Sequence, residues 1–549
     1  MENPCVTNKE GSSTMGNTIK SGSGSISANT LISGDMSRRH FMERMLALGL
    51  TIPLASMSWT SQVRASTPKK GGTFRVGLSD SNTADTLDPG TAYSNFSIQS
   101  NQVFRSYLTE IKPDGVVGPD SAESWEPSKD AKIWRFRLYK GQQFHNGRPL
   151  TADDVVASLN HHRGASSTSG GKALLQDVED IAADGQDTVV IRLAVGTADF
   201  PYILSDYHMA IMPADGKGGV DWASGIGAGP YKLANFQPGV KGEYQRFENY
   251  HRQTYFDAIQ LFGINDVNAR MNSLVAKEID AVNAVDLKTV DMLSQMAGIK
   301  IVEIRSGTLV SMDMRCETAP FNNNDVRLAL KYAMDRKEIL EKIALGHASI
   351  GNDQPIGPTL PYYADLEQRA YDPDRAKFHL KKANMESLAV ALSTSEAAYN
   401  GATDLAVLYQ QSAAKAGIKV DVIREPADGY WSNVWGKKPF FMDHNGQRAT
   451  PDMMFSTFNR RGGAWNPTGW DNDRFQTLLV QAKGELDQTK RAEMYREMQT
   501  MYREEGGQIV VFFTNIVDAT QENVMHPDQM SSNWELDGGR AYQRWWFDT

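Results

Sequence analysis

Carboxylates number 66 and histidines ten in this 549-residue chain, yet their spacing assembles no catalytic set. There is no H-E-x-x-H to hold zinc on one helix face, no G-x-S-x-G elbow for an acyl nucleophile and no C-x-x-C. A phosphate-cradling G-x-x-x-x-G-K-[ST] loop is also absent. GIGAGPYKL (Gly225–Leu233) has the glycines of a dinucleotide loop, but Pro230 stands where the third glycine belongs, and the next residues read as strand rather than helix. His161–His162 offers two imidazoles for a metal. Adjacent side chains on a helix diverge, however, and a solvated helix end is the simpler reading. Cysteine occurs only as Cys5 and Cys316, so loss of the N-terminus leaves one thiol and neither a disulfide nor a thiolate metal site. No carboxylate pair is singled out as general acid and base, and no cofactor is implied.

The N-terminus carries an address instead. Residues 1–35 are rich in Ser, Gly, Asn and Thr and hold nothing that forms a core. SRRHFM from Ser37, the apolar run Met45–Trp59 and the small-residue ending Val63–Ala65 make the three regions of a secretory signal. Arg38 and Arg39, with Phe41 two positions on, resemble the twin-arginine export signal. The apolar run is shorter than a membrane span and Pro53 interrupts it. Met36 precedes the motif directly and is an alternative start. No cysteine directly follows the run, which excludes a lipid anchor, so a soluble, periplasmic protein cleaved near Ala65 is expected. Net charge is −9 over the whole chain, with no basic stripe, which argues against nucleic acid and against a membrane surface as partner.

The elements that must position any site can be read from periodicity. GGTFRVGL from Gly71 alternates Phe74, Val76 and Leu78 on one face, a strand ended by the turn residues TLDPG (Thr86–Gly90). IWRFRL (Ile133–Leu138) alternates likewise, and TADDVVASLN (Thr151–Asn160) is a helix with Thr151 as its cap. VRLALKYAMDRKEIL (Val326–Leu340) reads as one helix behind the capping cluster Asn322–Asn324. Most legible is 388–423. LAVAL (Leu388–Leu392) is a buried strand, Leu405, Leu408, Ser412 and Ala416 mark a helix stopping at Gly417, and IKVDVI (Ile418–Ile423) is the next strand. Strand, helix and strand over this length make a parallel crossover, whose ligands bind beyond the carboxyl ends of the strands. Ser393–Glu396 and Arg424–Trp431 therefore belong near a cleft.

Several ordered stretches together resemble the family 5 extracellular solute-binding proteins, the dipeptide and oligopeptide receptors of ABC importers. Ser121–Ser158 is the fullest match, supported by GGTFRVG, TLDPG, Gly227–Gly239, Phe262–Val282, Ala319–Ile339 and YDPDRAK (Tyr371–Lys377). The resemblance covers roughly Gly71 to Lys377, and the later region fits by layout more than by motif. It implies an α/β, two-lobed periplasmic-binding-protein-like fold with a hinge and an extra subdomain inserted in the first lobe. Lobe one would hold 66–315, with the insertion at about 105–215, lobe two 316–514, and 515–549 would return to lobe one. The function implied is capture of a peptide-like or opine-like solute by lobe closure and its delivery to inner-membrane permease subunits, by a monomer and without catalysis.

The resemblance also places candidate ligand groups. Peptide-binding members hold the ligand's amino group with an Asp in a G-W-x-G-D stretch, which corresponds here to Met442–Phe458. His444 then replaces the Trp and Gln447 the Asp, with Asn445 between them and Arg448 beside. Glu396 falls near the position where dipeptide binders carry an Arg. A neutral Gln447 cannot supply the charge-assisted contact to an ammonium, so the solute is expected not to be an ordinary dipeptide. Glu396 and Asp443 would favour a cationic group and Arg448 an anionic one. The alternative is that these charges are solvated or internally paired. Trp431 and Trp435 are candidates to stack on the ligand, and Tyr93 and Asn95, just past TLDPG, lie where family members touch theirs. Competing readings are a twin-arginine-exported periplasmic enzyme, a receptor for a metal complex or haem, and a chaperone-like peptide binder.

Overall fold

The hydrophobic alternation read in the sequence is where the chain's sheets begin. A computed structural model describes residues 68–427, 429–463 and 465–548. Arg38, Arg39, Phe41, Met36, Cys5 and the cleavage point near Ala65 lie outside them. In β1 (Thr73–Leu78) the side chains of Phe74, Val76 and Leu78 are fully buried, each worth about 1.5–3 kcal/mol against exposure. Helix α1 (Asn95–Phe104) is next, capped by the Ser94 side chain, which accepts from the Ser97 N–H.

β2 (Ala122–Pro127), β3 (Ile133–Leu138), β4 (Val178–Ala183) and β5 (Thr188–Leu193) form a separate antiparallel sheet in the order β2-β3-β5-β4. Trp134, Phe136 and Leu138 enter its core with Val155 and Leu159 from α2 (Ala152–His161). Thr151 and Asp154 close a reciprocal capping box at the start of α2, as the sequence predicts. The far end of α2 differs from the solvated one expected. His162 is fully buried with Nδ1 2.6 Å from Ser169 Oγ, and His161 Nε2 sits 2.9 Å from Asp88. The chain beyond α2 folds back over the two rings, which local sequence cannot disclose.

Strands β6 (Tyr231–Gln237), β7 (Lys241–Arg246), β8 (Ala258–Gly263) and β9 (Ala281–Val282) extend β1, with β8 and β9 parallel to it. A long strand, β10 (Ile299–Met314), then leaves this half. Next come α3 (Asn324–Tyr332), α4 (Arg336–Lys342), β11 (Ala348–Ile350), β12 (Leu388–Thr394), α5 (Ala402–Ala414), β13 (Ile418–Arg424) and β14 (Phe440–Asn445). After α6 (Asp473–Gly484) and α7 (Gln488–Glu505), a second long strand, β15 (Gln508–Gln521), returns beside β10. One 11-stranded sheet results, in the order β13-β12-β14-β10-β15-β9-β1-β8-β7-β6, with β11 on β15. Its halves are two lobes joined through β10 and β15.

The crossover of lobe two is the predicted one. β12 and β13 run parallel in register Leu388↔Ile418 to Thr394↔Arg424, and α5 buries Leu405, Ala406, Tyr409 and Ala413 against them. Gly417 adopts φ 76°, the left-handed turn for which glycine is suited. The single helix expected at Val326–Leu340 is two. Asp335 accepts from the Glu338 N–H and so starts α4 anew, while Arg336 turns inward to the fully buried Asp353. An acceptor side chain and a buried ion pair thus override an unbroken helical pattern.

Candidate functional site

The two long strands that link the lobes, β10 and β15, lose register partway along their length. Pairing runs from Ile299↔Gln521 to Arg305↔Asn515, breaks at 306–308 and resumes at Leu309↔Phe513. Ser306 Oγ donates to the Thr514 carbonyl at 2.9 Å. The Gly307 N–H donates to Gln447 Oε1, and the Gln447 N–H donates to Thr308 Oγ1 at 3.2 Å. The Gln447 side chain is therefore tied to the break between the two long strands.

Lobe two's wall is built at the carboxyl ends of the parallel strands β12, β13 and β14. Glu396 lies just past β12, and its carboxylate accepts from the N–H groups of Gly401 and Thr403 at the start of α5. Partial burial works against its charge, but these hydrogen bonds hold its pKa below the ordinary glutamate value. Along β14, successive side chains point to opposite faces. Asp443 goes inward and is fully buried, accepting from Trp435 Nε1 at 3.0 Å and Asn445 Nδ2 at 3.2 Å. Asn445 is buried beside it and accepts from Gln508. Burial and the neighbouring Asp313 push the Asp443 pKa well up, and burial takes Asp313 to about 7. Glu396 and Asp443 are thus both held by hydrogen bonds from neutral donors within lobe two.

His444 faces the other way and is exposed, with Trp431 edge-on to it at 5.3 Å. Protein around its ring still lowers its pKa, as on a concave wall. Trp431 is 42% exposed, whereas Trp435 is half-buried by its bond to Asp443. Arg448 is half-buried with its guanidinium 5.6 Å from the Phe458 ring centre. Burial pulls its pKa down, opposed by Asp206 and Tyr207 of lobe one.

Lobe one's wall forms at the carboxyl ends of β1 and β9. Asn283, one residue past β9, donates to Ser79 Oγ at 2.9 Å and to Glu535 at 3.0 Å. Asn95, at the start of α1, also donates to Glu535. Trp534 meets Tyr207 edge-to-face at 5.6 Å, and Asp206 accepts from the His208 ring at 2.6 Å. Tyr93 is 64% exposed on this side, beside Gly170 and His208. Asp206, Tyr207, Asn283, Trp534 and Glu535 were not foreseen. The carboxyl-end rule applied to β9 would have found Asn283, but 531–539 has no periodicity to read.

Outside this cleft the lobes meet at a rim. Arg491 of α7 pairs with Asp199 at 2.8 Å, both side chains 3% exposed, and Lys483 pairs with Asp177 at 2.7 Å. A polar cavity of about 300 Å³ beside α2 is lined by Asp88, His161 and Arg163. Two of these groups are already hydrogen-bonded, Asp88 to His161 and Arg163 to the carbonyls of Val178 and Glu179. Among the described residues no cluster of His, Cys, Asp or Glu is arranged to hold a metal, and no helix is long and apolar enough to cross a membrane.

Two α/β lobes linked by a pair of crossing strands, with a separate four-stranded sheet inserted in the first, define a periplasmic-binding-protein-like fold. The profile of bacterial extracellular solute-binding proteins, family 5 (middle region), matches residues 116–466, and the chain belongs to this family of solute-binding rather than catalytic proteins. It is 25% identical over 526 residues to the dipeptide-binding protein of Escherichia coli, covering 87% of this chain and 95% of that one. HbpA2 from Haemophilus parasuis superposes with TM-score 0.78 at 19% identity, over 87% of this chain and all of that one. The periplasmic binding protein AgaA of Agrobacterium tumefaciens in complex with agropinic acid superposes with TM-score 0.69 at 22% identity, over 87% and 99%.

Proposed function

We propose that this protein is the exported receptor of an ABC importer, closing its lobes on a peptide-like or opine-like solute and delivering it to an inner-membrane permease. The observation that carries this reading is the pair of walls, each at the carboxyl ends of parallel strands and linked by β10 and β15. Lobe one comprises 66–315 with its insertion at about 105–215, lobe two 316–514, and 515–549 completes lobe one. Export uses the twin-arginine leader ending near Ala65, and the mature chain acts in the periplasm as a monomer. Kinship to a dipeptide-binding protein and to one complexed with agropinic acid supports the solute classes named. Gln447 at the pivot and Asp443 under the sheet argue against the peptide-amino grip of dipeptide binders.

A thermal-shift screen of dipeptides, opines, oligosaccharides and metal chelates tests the proposal. A solute that binds only the folded receptor stabilises it by about 2.7 kcal/mol at a hundredfold excess over Kd. Recovery of a chemically altered solute, or no shift from any class, would overturn the reading.

A further inference from the structure

The turn between α6 and α7 docks lobe two onto the inserted sheet of lobe one. The Lys483 carbonyl accepts from the Ala198 N–H at 2.7 Å, and Lys483 Nζ pairs with Asp177 at 2.7 Å. Leu486 packs against the apolar core that holds Trp134 and Phe136. Beside this turn Arg491 spends its guanidinium on Asp199, on the hydroxyls of Tyr362 and Tyr495 and on the Ala482 carbonyl. Both rim cations of lobe two are therefore committed to carboxylates of the other lobe.

A third carboxylate shares the rim. Asp452, in the helix Pro451–Phe458 of lobe two, is buried, and its Oδ1 has no hydrogen-bond partner. The charged and titratable groups acting on it are Asp199 and Asp177 of lobe one and Lys483, Arg491 and Tyr495 of lobe two. Three carboxylates thus meet two cations. An anion with an unmet oxygen in such a dry contact is costly unless a proton neutralises it. Burial first and the charge of Asp199 second bring the Asp452 pKa to about 7, against the opposing pull of Lys483 and Arg491. Parting the rim takes Asp199 and Asp177 away with lobe one, leaves Lys483 and Arg491 to Asp452 and admits water. Each of these changes favours the ionised acid.

We propose that joining the rim takes up one proton at Asp452 and parting it releases that proton, so that the meeting of the lobes at this contact is set by pH. This rests on the lobe movement of the receptor reading and involves no solute. The Asp452 pKa is higher with the rim joined, so the contact is fully favoured below the parted value, about 4, and weakens as pH rises through about 7. Hydrogen exchange resolved to single residues reads the rim directly, because the Ala198 N–H bonds across it while the adjacent Thr197 N–H bonds to the Ala131 carbonyl within lobe one. Protection is taken relative to intrinsic exchange, which removes the ordinary pH dependence of the chemistry. Between about pH 5 and about pH 8.5 the protection of Ala198 in the wild-type protein should fall at least about tenfold, with that of Thr197 nearly unchanged. Asp452→Asn imitates the protonated acid, and its Ala198 should keep the low-pH protection throughout. Melting curves verify that this variant folds, and if it does not, the wild-type profile decides. Constant wild-type protection at Ala198, an equal fall at Thr197, or a variant profile like that of wild type would overturn the inference. None of these outcomes touches the receptor reading, which the solute screen decides.

Discussion

The lobes touch in two places, and charge is handled oppositely in each. At the rim, Arg491 meets Asp199 in a pair almost without exposure, and the aromatic faces of Tyr362 and Tyr495 lie within 5.4 Å of its guanidinium. Burial works to lower the Arg491 pKa, but Asp199, Tyr495 and Tyr362 together raise it by more, so the guanidinium stays charged. In the cleft, Arg448 faces the other lobe with neither hydrogen bond nor ion pair to its guanidinium among the described residues. A directly matched charge at an interface holds geometry, whereas Arg448 meets the other lobe only through the longer-range field of Asp206, which opposes the cost of its burial.

The contrast can be broken first at the rim. Arg491→Ala leaves Asp199 buried and uncompensated, and unfolding measured by denaturant should show a loss of about 3–5 kcal/mol. Arg448→Gln should cost far less stability, because no internal partner is orphaned. A comparable loss for both would erase the distinction.

The next effect is pH-dependent and lies under the lobe-two wall. Folding raises the pKa of Asp313 to about 7 and that of Asp443 well above normal, so the folded state binds protons that the unfolded state has released. Their contribution to stability is complete below about pH 4 and is lost as pH rises through about 7. Asp443→Asn imitates the protonated acid and should flatten this decline. At pH 8 it should be more stable than wild type and at pH 4 nearly equal, read as paired melting curves.

Smaller effects sharpen the comparison. Glu396→Gln removes a charged cap from α5 and should cost about 0.5–1 kcal/mol while leaving solute affinity unchanged. An affinity loss would move Glu396 from the capping role to the ligand. Lys483→Ala breaks a partly exposed rim pair and should cost no more than about 1 kcal/mol, with sensitivity to salt.

How much of this was legible in sequence depends on the range of the forces involved. β1, β3, the capped α2 and the β12–α5–β13 crossover were readable because alternation and helical spacing are local signals of one buried face. The break between α3 and α4 was not, since Arg336 turns toward Asp353, 17 residues on. Among the site candidates, His444, Trp431 and Tyr93 are exposed and Arg448 and Asn95 half-buried. Asp443 is buried, because which face of β14 looks inward is set by the neighbouring strands rather than by its own residues. Glu535 escaped notice altogether, for it arrives in an aperiodic segment and touches Asn95 and Asn283, residues 440 and 252 positions away.

The three unladdered residues at 306–308 have a mechanical consequence. Their tether is Gln447, whose peptide neighbour is Arg448, so any movement of that guanidinium reaches the break between the two long strands through a single peptide link.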